Sequence, residues 1–336
     1  MGRTESFIYN DLRRNTECRR RDASMSIGRI KGQRGRGSGL GYLMDHYDLY
    51  LMLLPAVIYA FIFLYLPMYG VVMAFQDFTP AKGIFGSPFV GLKHFTKFFS
   101  TYMAGQVIGN TITISLYALL ASFPFPIILA LMLNYCVSKR FGRLVQSVTY
   151  MPYFISIMVL VGMMNILFST NYGLVNLVLK SLGYEVYTFM ASEASFRHLY
   201  VWSGIWQGTG YASVIYFAAL AGIDPSLYEA AKLDGAGKWQ RIWNIDLPGI
   251  MPTAIIMLIL NAGSIMSVGF EKAYIMQNDR NSGVSEVLST YVYKVGLIDG
   301  RYSFSAAINL FNSIINFLVL IIINRISRKV SETSLW

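Results

Sequence analysis

Six long apolar runs, at 49–75, 107–133, 148–168, 199–221, 249–269 and 304–323, set the terms on which this chain can fold. Each reaches the roughly 20 residues that a helix needs to cross about 30 Å of hydrocarbon. Lipid offers backbone groups no hydrogen bonds, so such runs become helices whose polar groups are satisfied internally. The runs are poor in charge, and one central Lys, Arg or Asp would cost about 2.5–3.5 kcal/mol. Across the chain 54% of residues are hydrophobic and 14% charged, outside the usual soluble balance. Pro55, Pro67, Pro124, Pro126 and Pro152 fall inside the runs, where neighbouring helices can satisfy the carbonyls they free. The expected fold is an all-α polytopic membrane protein. Its single membrane domain covers 49–323, between a basic tail at 1–48 and a short tail at 324–336.

Orientation follows from where Lys and Arg fall. With the N-terminus inside, the inner segments are 1–48, 134–147, 222–248 and 324–336. They hold ten, three, three and three of the 28 basic residues. The outer segments, 76–106, 169–198 and 270–303, hold the other nine. Positive-inside bias therefore predicts both termini in the cytoplasm. The Gly- and Arg-rich stretch at 28–41 reads as a solvated topology anchor rather than a nucleic-acid arm, and Met25 offers an alternative start. The first apolar run comes too late for a secretory signal and is long enough to stay in the membrane.

Several chemistries are excluded. Cys18 and Cys136 both fall in inner segments, so no structural disulfide is expected. His46, His94 and His198 lack metal-ligand spacing. The nearest echo of a phosphate-binding loop, GSPFVGLK at 86–93, has Leu92 where Lys is required. No nucleophile, base and orienting group come together, so the chain is expected not to be an enzyme. If ATP is used, another chain hydrolyses it.

The inner segment 222–248 is unusual. Between two greasy runs it carries Glu229, Lys232, Asp234, Lys238, Arg241 and Asp246, with Trp239 and Trp243. Asp224 can cap a helix, Pro225 suits its first position, and Ser226 with Glu229 forms an alternative capping box. Gly235 or Gly237 supplies a left-handed stop. A second short helix is predicted with Trp239, Ile242 and Trp243 on one face, ending at Pro248, its tryptophans anchoring it to the bundle. Helices this short are marginal alone and need a surface to pack on. Ala230 and Ala231 would allow close approach.

Glu229-Ala230-Ala231, three residues, Gly235, nine residues, Ile245, one residue and Leu247-Pro248 resembles the EAA motif of bacterial ABC importer membrane subunits. FVGLKHF at 89–95, followed by Asn110-Thr111, is similar to the entry to the permease core of sugar-type importers, and 151–183 and 302–329 are similar to the polysaccharide and oligosaccharide branch of that family, and within it to alginate importers. QNDRNSG at 277–283 departs from the Gly-Gly-Pro stretch of many sugar permeases, which leaves the outer loop's contacts open. The resemblance implies the six-helix type I importer permease architecture in the bacterial inner membrane. It implies that 224–248 couples to ATPase subunits through Glu229, Ala230, Ala231, Asp234, Gly235, Ile245, Leu247 and Pro248. The implied partners are a second homologous permease subunit, two ATP-binding subunits, a periplasmic sugar-binding protein, membrane lipid and the sugar, with no nucleic acid. No cofactor is expected on this chain, and ATP and magnesium belong to the partner subunits.

For the pathway, Ser305, Asn309, Asn312 and Asn316 lie on one helical face, as do Asn261, Ser264 and Ser267. Polar groups facing lipid are costly, so these stripes should face protein or water. Interhelical bonding to the paired subunit is as good a reading as pathway lining. Gly204, Gly208 and Ala212, four apart, suggest close helix packing. Trp202, Trp206, Gln207 and Tyr211 could stack on sugar rings or anchor the interface. An ion-coupled secondary transporter remains the alternative. It would want ionisable groups at midspan, of which the runs hold almost none.

Overall fold

A computed structural model describes residues 47–331. The tail 1–46, with Cys18 and His46, and residues 332–336 lie outside the described residues. The chain divides into two units, Met1–Met68 and Tyr69–Trp336. In the first, α1 (Tyr47–Ala60) contains Pro55 and buries none of its residues. It passes through a π-turn, Phe61–Tyr65, into Leu66–Met68. The widened turn has a local cause. A proline at position i collides with the carbonyl at i−4, and the i−5 bond from Leu66 N–H to the Phe61 carbonyl opens the space Pro67 needs.

The second unit is helical, with a lone antiparallel bridge between Gln76 and Phe89 among the described residues. Its main helices are α2 (Tyr102–Ser122), α3 (Pro124–Asn134), α4 (Lys139–Tyr150), α5 (Ile157–Leu167), α6 (Glu193–Ala221), α7 (Pro225–Leu233), α8 (Lys238–Arg241), α9 (Leu247–Ala262), α10 (Phe270–Met276) and α11 (Tyr302–Ser331). Central α6 contacts α2, α3, α4 and α9, and α9 in turn packs on α11. The α6–α4 crossing is close because Gly210 lies against the Thr149 carbonyl, where any Cβ would collide. One apolar core joins Ile114, Val161, Phe196 and Val201, and another at the opposite end joins Ala130, Tyr216, Leu220 and Ile250.

Four helical stretches are long and apolar enough to cross a membrane: Tyr47–Phe75, Tyr102–Asn134, Lys238–Ala262 and Tyr302–Lys329. The predicted run 148–168 is not one straight helix. Lys139–Phe154 and Ile157–Leu167 meet at 99° and pass together only as a bent pair. The break follows Pro152, and the Ser156 side chain starts α5 by accepting the Val159 N–H at 3.3 Å. The Gln207 side chain donates to the freed Ile155 carbonyl at 2.7 Å. The run 199–221 lies within the 29-residue α6, which is long enough to cross but is not among the apolar four. Its Ser, Thr, Gly and Gln positions belong to a helix surrounded by others.

Two more sequence expectations need correction. The helix predicted over 249–269 stops at Ala262, and 263–269 is turn and coil. Asn316 holds that break from α11: its Oδ1 accepts the Met266 N–H at 2.9 Å and its Nδ2 donates to Ser267 Oγ at 3.0 Å. The second short helix of the inner loop does not end at Pro248. It runs through the π-turn Ile242–Asp246 into α9, and the i−5 bond from Leu247 N–H to the Ile242 carbonyl makes room for Pro248 as it does for Pro67.

Candidate functional site

Two regions stand apart, a polar loop at one end of the bundle and a cavity between its helices. The loop begins with Asp224, whose carboxylate accepts the Ser226 N–H at 2.9 Å, with Pro225 in the first turn of α7. That hydrogen bond holds the Asp224 carboxyl below its usual range. The capping falls to Asp224 rather than to the Ser226 and Glu229 pair.

At the other end of α7, the Ala236 N–H donates to the Ala231 carbonyl at 2.8 Å and the Gly235 N–H to the Lys232 carbonyl at 3.1 Å. This Schellman arrangement needs a left-handed residue, and Gly235 has φ 76°. Gly237, by contrast, has an ordinary φ of −68° and precedes α8, where its N–H is capped by the Gln240 side chain at 2.7 Å. No residue of α7 is buried. Glu229, Ala230, Asp234 and Gly235 are exposed, and Ala231, Ile245 and Leu247 half-buried. The element is presented outward with its ends fixed and most of its surface exposed. Trp239 and Trp243 are 75% and 67% exposed and flank an apolar crevice against Ile127, Ile128 and Leu131 of α3, instead of being buried in the bundle.

One residue of this loop goes the other way. Asp246 is fully buried, and its carboxylate accepts the hydroxyls of Tyr135 at 2.6 Å and Tyr228 at 2.5 Å. Burial, reinforced by the neighbouring carboxylate, pushes both tyrosine hydroxyls up from their usual range, so both remain donors. Sequence reasoning missed this group, because its members lie 18 and 111 residues apart.

The cavity, about 380 Å³, lies between α2, α6 and the end of α9. Asn261, Ser264 and Ser267 line it, with Ser115, Ser122 and Thr209. Gly204, Gly208 and Ala212 also face it; at Gly208 a Cβ would meet nothing, so the stripe widens the cavity there, whereas at Gly204 a Cβ would come within 3.3 Å of the Lys272 ammonium. Close packing falls to Gly210.

Asn309, Asn312 and Asn316 are not on its wall. Asn316 braces the break after α9, while the Asn312 Oδ1 is buried without a hydrogen-bond partner. Trp202 and Trp206 line a separate apolar cavity of about 340 Å³ with Leu160, Met163 and Phe168. The Trp202 indole donates to the Tyr117 hydroxyl at 2.9 Å, and Tyr211 stacks on Tyr153 at 4.0 Å. The structure therefore brings Asn261 and Ser264 together and separates them from the aromatic set. Among the described residues no cluster of His, Cys, Asp and Glu could hold a metal ion, and Cys136 is a free thiol.

A bundle of apolar helices around a hydroxyl-lined cavity, with an outward-presented polar loop at one end, defines an all-α membrane transport subunit. Residues 122–332 match the family described as the inner membrane component of binding-protein-dependent transport systems, and the chain belongs to that family. It is 39% identical over 294 residues to the polygalacturonan/rhamnogalacturonan transport system permease protein YteP of Bacillus subtilis, covering 88% of this chain and 92% of that one. It is 38% identical to the protein LplB of the same organism, covering 86% and 91%. Among solved structures, it superposes with a TM-score of 0.82 and 36% identity on a chain of a bacterial ABC transporter that imports the acidic polysaccharide alginate. The match covers 88% of this chain and all of that one. A second structure, with TM-score 0.81, shows a bacterial alginate transporter in complex with a periplasmic protein bound to an alginate pentasaccharide. The chain is thus a transport permease component of a bacterial membrane and not an enzyme, with ATP hydrolysis residing in separate subunits.

Proposed function

We propose that this chain is one of two permease subunits in an ATP-driven importer of an acidic oligo- or polysaccharide of the alginate or polygalacturonan kind. A periplasmic sugar-binding protein delivers the substrate to the outer segments, and two ATPase subunits dock on the loop 224–248. The observation that carries this reading is the geometry of α7. A helix with no buried residue, capped by Asp224 and turned by left-handed Gly235 at the EAA spacing, is built to enter another protein's cleft. Glu229, Ala230, Ala231, Asp234, Gly235, Ile245, Leu247 and Pro248 form the coupling element. Asn261 and Ser264 offer hydroxyl and amide groups to the passing sugar from the cavity wall, while Asn309, Asn312, Asn316, Trp202, Trp206, Gln207 and Tyr211 support the pathway or its subunit interface. The chain crosses the membrane six times, counting 139–167 as one broken crossing and α6 as another, with both termini cytoplasmic.

The cavity wall carries no ionisable Asp, Glu, Lys or Arg, which disfavours an ion-coupled carrier. The test is reconstitution with the second permease, the ATPase subunits and the binding protein in proteoliposomes. Hydrolysis should rise when the binding protein carries alginate pentasaccharide or an oligogalacturonate, and labelled sugar should accumulate. Accumulation driven by a proton or sodium gradient without ATP would overturn the reading.

A further inference from the structure

Asp246 is the one fully buried ionisable residue of a loop whose other charged groups face outward or are half-buried. Burying a carboxylate is costly unless its oxygens are taken up by donors, and a leucine would fill the same space without that cost. Here both oxygens are used, and each reaches a different element. Oδ1 accepts the hydroxyl of Tyr228, in the middle of α7 and adjacent to Glu229. Oδ2 accepts the hydroxyl of Tyr135, which directly follows α3. Asp246 itself closes the π-turn that leads into α9. The Arg241 guanidinium lies over the Tyr135 ring, 5.7 Å from its centre. Three chain segments therefore meet at one carboxylate, and two of them are the starting or finishing ends of long apolar helices.

The rest of α7 explains why such a joint is needed. The helix has no buried residue and is held at one end by the glycine turn at 235. A short helix on such connections could swing without moving what lies above it. Its tertiary side-chain hydrogen bond is the one from Tyr228 to Asp246. We propose that Asp246, gripped by Tyr228 and Tyr135, is a positioning residue that makes α7 move together with α9 and the end of α3, so that displacement of the loop becomes displacement of the membrane helices. This rests on the reading of 224–248 as the coupling element.

The test compares wild type with Tyr228→Phe, Tyr135→Phe and Asp246→Leu in the full reconstituted complex, supplied with binding protein loaded with alginate pentasaccharide. Each change removes a hydrogen-bonding group from the clamp and keeps roughly the side chain's size. Two quantities are read, stimulated ATP hydrolysis and sugar accumulated per ATP hydrolysed. Tyr228→Phe should keep hydrolysis within about twofold of wild type while sugar per ATP falls several-fold. In an Asp246→Leu background, adding Tyr228→Phe should change the ratio no further, because the bond it removes is already gone. An unchanged ratio in Tyr228→Phe and Asp246→Leu would overturn the proposal. So would a parallel fall in both quantities, or loss of assembly with Tyr228→Phe, since either marks a brace for the fold. A wild-type complex whose hydrolysis ignores the loaded binding protein would instead overturn the importer reading itself.

Discussion

At Gly235 the backbone takes φ 76° while the space a Cβ would occupy stays open, so substitution there is opposed by conformation and not by collision. Gly235→Val should cost about 1–3 kcal/mol locally if the turn is kept. It should leave membrane insertion intact and lower ATP hydrolysis stimulated by loaded binding protein, and full stimulated turnover in the purified complex would exclude a role in coupling. A second residue-scale expectation concerns Lys272 in α10. Its ammonium is buried, donates to the Tyr200 carbonyl at 2.8 Å and sits over the Tyr200 ring. Burial lowers its pKa to about 8 from 10.5. The unfolded chain therefore holds that proton more tightly, and folding stability should rise with pH between about 8 and 10.5, with a constant penalty below. Lys272→Met should raise the melting temperature of the purified protein at pH 7, and the gain should shrink towards pH 10. A gain independent of pH would show that charge burial is not its origin. The Asp224 cap and the Gly235 turn were legible in the sequence because capping acts over two to five residues. The clamp on Asp246 was not, since its partners are set by packing of distant segments and leave no periodic trace.

At the scale of elements, the two asparagines of α11 that look alike in sequence do different things. Asn316 satisfies the Met266 N–H at the break after α9, so Asn316→Leu strands a backbone donor and should cost about 1–3 kcal/mol. Asn312 leaves its Oδ1 unpaired within the chain, so Asn312→Leu removes an unsatisfied group and should cost this subunit less. Thermal unfolding of the two variants in detergent checks the order, and equal losses would contradict it. Transport by Asn312→Leu then reports whether that side chain serves the partner subunit. The same contrast shows what helical periodicity conveys. It places residues on a common face, as with Asn309, Asn312 and Asn316, but does not say whether the facing surface is a cavity, a neighbour's backbone or another chain. Apolarity likewise announced a run at 148–168 and could not report its 99° bend, which depends on Pro152, the Ser156 cap and a Gln207 bond from α6.

For the whole molecule, orientation decides which end of the bundle meets ATP, and the distribution of charge decides orientation. With six crossings, nineteen of the 28 basic residues belong to segments on the side of the loop 222–248 and nine to segments on the other. Since a translocated Lys or Arg is opposed during insertion, the proposed orientation keeps the basic side in the cytoplasm. Both test positions are usable, because Lys238, at the start of α8, and Arg280, in the loop after α10, are exposed. In a background with Cys18 and Cys136 replaced by Ser, Arg280→Cys should react with a membrane-impermeant maleimide applied to intact spheroplasts. Lys238→Cys should react only after the membrane is opened. The bent pair makes this more than a formality. If 139–167 does not cross, everything after it is inverted relative to the N-terminus, and the loop then faces outward unless the tail itself lies outside. Labelling of Lys238→Cys from outside would therefore separate α7 from the ATPases altogether, and no hydrogen bond to Asp246 could carry their motion into the membrane.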